Sequence, residues 1–274
     1  MNRLEHFEPN FRKVDNFPKV KLPVMAHLVL GYPNLAESLR TAETYIRAGV
    51  QVLELQIPFS HPTADGPIIT AACREAVREG VTVRDCMEAI RGLREQFPEQ
   101  EIVVMSYLNR IYSFGFQKFV EEMEGLGVRH LIVPDLPVDL SFVIESLRHL
   151  SLKLVPVLAA NVSDARLEKL LEMGFDFFYL MSDFKITGSA FGLHPRLRTV
   201  IDKIKSGGDF ESRPDSLRVG IGFGISTPEQ VRLVAEEADL TIIGSALIQA
   251  QRDGRLEAYL EKLKIAFMAA TECA

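Results

Sequence analysis

Long apolar runs are missing from this chain: none approaches the roughly 18 residues that a membrane-spanning helix requires. Cysteine is scarce. Cys73, Cys86 and Cys273 have the spacing of neither a zinc site nor a redox pair, and an odd count argues against a disulfide framework. Cys73 and Cys86 fall in helix-patterned segments and read as small core residues. The six histidines are scattered, without ligand spacing, which leaves a metal aldolase without its ligands. Positive charge is in deficit. A net charge of −6 provides no basic field for nucleic acid or an acidic membrane surface. An anion would have to be bound by local donors, and backbone N–H groups at a helix start are the natural choice. The opening Met1-Asn2-Arg3-Leu4-Glu5-His6 is too polar for a signal peptide, so the chain reads as cytosolic.

What is present is the balance of a globular protein, with 47% hydrophobic and 25% charged residues in 274. A chain of this length buries roughly three quarters of its unfolded surface, enough for a large core without disulfides. Short β-rich runs alternate with longer amphipathic runs, the mark of a parallel sheet covered by helices. The strand runs are 24–30, 52–57, 101–106, 131–134, 154–158, 177–181, 217–222 and 240–244. Eight such runs suit a closed barrel better than an open sheet. The expectation is an α/β fold, a single (β/α)₈ TIM barrel domain over residues 1–274, with an extra N-terminal helix near Leu4–Phe11. Leu39, Ala42 and Ile46 share one helix face, with Gly49 beyond it as a C-cap. Ser163 and Asp164 suit an N-cap region, and Thr227-Pro228-Glu229 opens another helix.

Strands in such a barrel are apolar on both faces, so His27, Glu54 and Gln56 stand out. Glu54 interrupts Val52-Leu53-Glu54-Leu55, and a buried carboxylate suits general acid/base work. Asp65, in Thr63-Ala64-Asp65-Gly66-Pro67, follows the same strand and falls towards the C-terminal face, where barrel sites lie. Alternatively, Glu54 holds an internal salt bridge, and Asp-Gly-Pro is an ordinary turn. Gly222-Phe223-Gly224-Ile225-Ser226 and Gly244-Ser245-Ala246 follow the last two strands, where such barrels bind phosphate at a helix start. Gly188 offers a third wall. Lys185 is the nearest candidate for a Schiff base and reads as a solvated side chain. Plain acid/base chemistry on a phosphorylated substrate remains.

Ordered segments then resemble the tryptophan synthase alpha subunit family across nearly the whole chain. They are Leu30-Gly31-Tyr32-Pro33, Leu53 to Ser60, Ala64-Asp65-Gly66-Pro67, Tyr107-Leu108-Asn109, Val133 to Pro137, Thr187-Gly188, Gly222 to Val231 and Gly244-Ser245-Ala246. The resemblance implies retro-aldol cleavage of indole-3-glycerol phosphate to indole and glyceraldehyde 3-phosphate, without cofactor. It implies that Glu54 moves the proton at the indole ring carbon and that Asp65 accepts a hydrogen bond from the indole nitrogen. Tyr107 and Tyr179 would line the pocket, Phe223 would pack on the indole, and Thr187 would order its loop against Asp135. Gly188, Gly224, Gly244 and Ser245 would hold the phosphate. The implied partner is the pyridoxal-phosphate beta subunit, which receives indole through a tunnel in an αββα complex.

The chain departs from the family pattern at four places. Gln56 replaces a usual glycine and should offer Glu54 a hydrogen bond, since alternate strand residues share a face. His27 replaces an apolar residue, often phenylalanine. Ser60-His61-Pro62 replaces Ser-Asp-Pro, and Ser182-Asp183-Phe184-Lys185 replaces Ser-Arg-x-Gly. Two other readings therefore stand beside the lyase: a paralogous lyase for another phosphorylated aldol, and a catalytically weak phosphate-ligand-binding regulatory subunit.

Overall fold

The computed structural model describes residues 21–137, 140–147, 149–182, 184–187, 190–206 and 217–271. One parallel sheet runs through strands β1 (Leu22–Val29), β2 (Val50–Gln56), β3 (Glu101–Met105), β4 (His130–Ile132), β5 (Lys153–Leu154), β6 (Val157–Leu158), β7 (Phe177–Met181), β10 (Arg218–Gly222) and β11 (Leu240–Ile243). Its order is β5-β4-β3-β2-β1-β11-β10-β7-β6. The two ends of that order are halves of one strand. Val155 N donates to Leu131 O at 3.0 Å, and Tyr179 N donates to Pro156 O at 2.9 Å. Pro156 has no N–H to give and marks the break. Joined through it, β5 and β6 close a ring of eight parallel strands, the (β/α)₈ barrel.

Period-two alternation sorts the strand residues into two layers. Met25, Val52, Val103, Ile132, Phe177 and Ile242 point into the lumen and pack together. Val24, Leu53, Val104, Leu131, Phe178 and Ile221 point outward into the larger core beneath the helices. The inward register across β1 and β2 pairs Met25 with Val52, His27 with Glu54 and Val29 with Gln56. Three polar side chains therefore meet near the C-terminal mouth.

The helices are α1 (Leu35–Arg47), α2 (Pro67–Arg78), α3 (Val83–Gln96), α4 (Leu108–Phe114), α5 (Phe116–Gly125), α6 (Ser141–Leu147), α7 (Asp164–Glu172), α8 (Pro195–Ser206), α9 (Pro228–Ala235), α10 (Ser245–Arg252) and α11 (Leu256–Thr271). Their ends follow local chemistry. Ser163 accepts from Arg166 N, and Thr227 forms a reciprocal capping box with Gln230 behind Pro228. Gly49 takes φ +88° just past α1. Cys73 and Cys86 are buried and unpaired, in α2 and α3.

One segment departs from expectation. The stretch after β7, read as a loop, forms an antiparallel hairpin of β8 (Phe184–Thr187) and β9 (Ala190–Leu193). An aromatic residue in each arm, with the β-branched Ile186 and Thr187 in the first, favours the extended backbone. The expected helix at Leu4–Phe11 lies outside the described residues. No helix among the described residues is long and apolar enough to cross a membrane.

The opposite, N-terminal mouth is closed by charge. Arg218 clamps Glu101 at 2.8 and 2.5 Å, while Asp176 takes His130 Nε2 at 3.0 Å and Lys153 Nζ at 2.7 Å. This network belongs to the barrel floor, away from the polar lumen residues.

Candidate active site

Ladder pairing brings His27 Nδ1 to 3.2 Å from Glu54 Oε1. Both residues are 3% exposed. Glu54 Oε2 and His27 Nε2 have no protein partner although both are buried. Burial alone would push the imidazole pKa of His27 down. The adjacent Glu54 carboxylate outweighs it, with Asp65 and the Gln56 amide adding, and the net direction is up. The imidazole thus favours its charged form more than a free histidine does.

Asp65 sits on the turn that leads into α2, where Gly66 occupies the N-cap and Pro67 the first helical position. Gln56 Nε2 donates to Asp65 Oδ2 at 2.7 Å, and the Tyr107 hydroxyl donates to the same oxygen at 2.9 Å. Ala64 N in turn donates to the Tyr107 hydroxyl at 3.0 Å, tying the turn down. Neither donor to Asp65 engages Oδ1. Burial raises the Asp65 pKa and the Glu54 charge adds to that. His27, Gln56 and Tyr107 pull it back only in part.

Gln56 was expected to bond Glu54, and here the structure differs. Two residues along a strand carry Gln56 about 6–7 Å towards the mouth, level with the Asp65 turn. Glu54 is left facing its own rung partner, His27. Tyr107 is fully buried behind Asp65 and supports it from there. No pattern in the chain flagged that contact, because it joins the α4 start to a turn some forty residues earlier.

A cavity of about 290 Å³ opens above these groups. Its walls include His27, Glu54, Asp65, Tyr179 and Phe223, and Gly224, Ser226, Gly244, Ser245 and Ala246 line it as well. Tyr179 and Phe223 meet with ring centroids 5.4 Å apart, making an apolar, aromatic flank. Burial, then the charges of Glu54 and Asp65, hold the Tyr179 phenol protonated. Phe223 takes φ +68°, a left-handed conformation that costs a bulky residue roughly 1–3 kcal/mol. The Ser182 hydroxyl donates to the Phe223 carbonyl and helps hold it there. α10 starts at Gly244 without a side-chain cap, and Gly244, Ser245 and Ala246 at that start border the cavity. That end suits an anion.

Thr187 ends β8, and Gly188 lies outside the described residues. Asp135 Oδ1 accepts from Leu108 N at 2.9 Å. His61 is exposed and pairs with the Ser60 hydroxyl at 2.8 Å. Ser226 and Ala246, not singled out in the sequence, line the anion end; their signal was adjacency to the two glycine turns. No cluster of potential metal ligands occurs among the described residues.

Residues 18–271 match the family described as tryptophan synthase alpha chain. The chain belongs to that family. The tryptophan synthase alpha chain of Dehalococcoides mccartyi is 34% identical over 248 residues, covering 89% of this chain and 92% of that protein. That of Methanosarcina acetivorans is 30% identical over 254 residues, covering 90% and 89%. Among solved structures, Mycobacterium tuberculosis tryptophan synthase superposes with a TM-score of 0.77 at 27% identity, covering 90% of this chain and 92% of that one. Tryptophan synthase subunit alpha from Campylobacter jejuni gives 0.73 at 28%, covering 90% and 96%.

Proposed function

We propose that this chain cleaves indole-3-glycerol phosphate to indole and glyceraldehyde 3-phosphate as the alpha subunit of a tryptophan synthase. The observation that carries the reading is Glu54 Oε2, a buried carboxylate oxygen without a partner at the cavity, beside Asp65 and opposite an uncapped helix start. In the reaction, Glu54 first gives a proton to the ring carbon that carries the glycerol chain, leaving positive charge on the ring nitrogen. It then takes the proton of the glycerol hydroxyl next to the ring as the carbonyl forms, and the electron pair of the breaking carbon–carbon bond flows back into the ring and neutralises the nitrogen. Asp65, through Oδ1, accepts the indole N–H and offsets the positive charge that develops on the nitrogen. Tyr179 and Phe223 flank the ring. Backbone groups of Gly224, Gly244 and Ser245 hold the phosphate, and Thr187 and Gly188 are assigned to the same ligand by the family resemblance alone.

No step requires a cofactor. A pyridoxal-phosphate beta subunit in an αββα complex takes up the indole, and a cytoplasmic setting belongs to the same proposal. Unpaired, buried Cys73 and Cys86 fit such a reducing compartment. The deciding experiment is indole release from purified protein, with and without a beta subunit. Indole is expected in both, faster with the partner. No indole in either, while phosphate ligands still bind, would refute the lyase reading. Glu54→Gln should lower kcat by about 10²–10⁴-fold, the usual worth of a positioned acid/base. It should leave glyceraldehyde 3-phosphate affinity nearly unchanged.

A further inference from the structure

Glu54 is held at one oxygen only. Its Oε1 faces His27 Nδ1 at 3.2 Å, while Oε2 has no protein partner. The second carboxylate is served separately: Gln56 and Tyr107 both reach Asp65, and neither hydrogen-bonds Glu54. His27 is thus the side chain that decides how the Glu54 carboxylate is turned. The imidazole is itself fixed. His27 lies in β1 on the rung beside Glu54, and its backbone carbonyl accepts from the Tyr45 hydroxyl of α1 at 3.4 Å. On the β11 side Gly244 stands so near that a Cβ there would sit 3.5 Å from the His27 Cβ.

We propose that His27 is a positioning residue for Glu54: its Nδ1–H holds Oε1 and so commits Oε2 to proton transfer in the cavity. The inference rests on the lyase reading for its catalytic half and on geometry alone for the pairing. An apolar ring in place of the imidazole would leave Oε1 buried without a donor, free to turn or to draw in water. A neutral amide at the same height would still hold it.

Ionisable groups on every side bear on the pair. Glu54 and Asp65 act on His27 from β2 and the turn after it, Tyr179 faces both carboxylates from β7, and Tyr107 reaches Asp65 from the start of α4. Below the His27 midpoint the imidazolium carries the proton and Glu54 has a cation beside it. As pH rises through that raised midpoint the charge is lost and a weaker, neutral Nδ1–H bond holds Oε1, so the rate should fall partway on the alkaline side.

Two measurements on the full chain test this. The first follows the His27 imidazole by NMR as pH is varied, its signal assigned by its loss in His27→Phe. In Glu54→Gln the midpoint should drop below that of the wild type; an unchanged midpoint overturns the pairing whatever the activity. The second is steady-state indole release. His27→Phe should lower kcat by tenfold to about a hundredfold, the cost of a mispositioned catalytic group. KM should move less than about threefold. His27→Asn, whose amide nitrogen takes the place of Nδ1, should recover most of kcat but lose the alkaline fall. Unchanged kcat and pH profile in His27→Phe would reduce His27 to packing and overturn the proposal. If the wild type releases no indole, the lyase reading fails, and the imidazole titration still decides the pairing.

Discussion

Gly222 faces the ring of Tyr179 so closely that a Cβ there would lie 2.7 Å from Tyr179 Cε2. The cavity flank exists because this strand position has no side chain. Gly222→Ala should displace Tyr179, cost about 1–3 kcal/mol of stability as an overpacked site, and lower turnover. Thermal unfolding and indole release measure the two effects, and unaltered values for both would show that the ring has room to move. Gln56 makes the second prediction at this scale. Its amide favours the ionised form of Asp65, whose pKa burial already raises. Removing the donor in Gln56→Ala should raise it further. Since Asp65 must be ionised to accept the indole N–H, the acid limb of kcat/KM should move to higher pH. A limb in the same place would mean that His27 and Tyr107 set the Asp65 charge without the Gln56 amide.

Among the elements, the strand starts at the barrel floor act as a unit. Burial tends to raise the Asp176 pKa, but His130 and Lys153 overcome it and hold the carboxyl below the usual range. A depressed carboxylate contributes stability that is present above the unfolded value near 4 and fades as pH falls through the folded one. Asp176→Asn should therefore cost roughly 1–3 kcal/mol at pH 7, discounted because Lys153 is substantially exposed. The gap from wild type should close as pH drops below about 4. Unfolding midpoints across that range check it, and kcat at pH 7 should not change. The elements were also the most legible level. Ser163, Thr227-Pro228 and Gly49 act within a turn of themselves, so α7, α9 and the end of α1 could be read directly. The β8–β9 hairpin could not, because its short arms lack the long-range ladder and the apolar length that mark the barrel strands.

For the whole molecule, the anion site proposed for this acidic chain of net charge −6 draws on backbone amides at the mouth of the barrel. A phosphate-terminated ligand such as glyceraldehyde 3-phosphate should therefore stabilise the fold by about 2.7 kcal/mol at a hundred times its Kd. That corresponds to a Tm rise of several degrees for a domain of this size. Glu54→Gln should show the same rise, because backbone amides and not the carboxylate are proposed to hold the anion. Failure of any phosphate ligand to raise Tm would remove the anion site. The strand–helix alternation, the helix caps, the two glycine turns and the identities of Glu54 and Asp65 are local properties, and the chain alone determined them. The tertiary structure decided which groups meet. Proline splits one strand whose halves close the ring, the β1–β2 register sets His27 against Glu54, and strand rise sends Gln56 to Asp65 instead. Those pairings depend on register between distant strands, which the packing of the whole barrel sets and no short stretch of sequence contains.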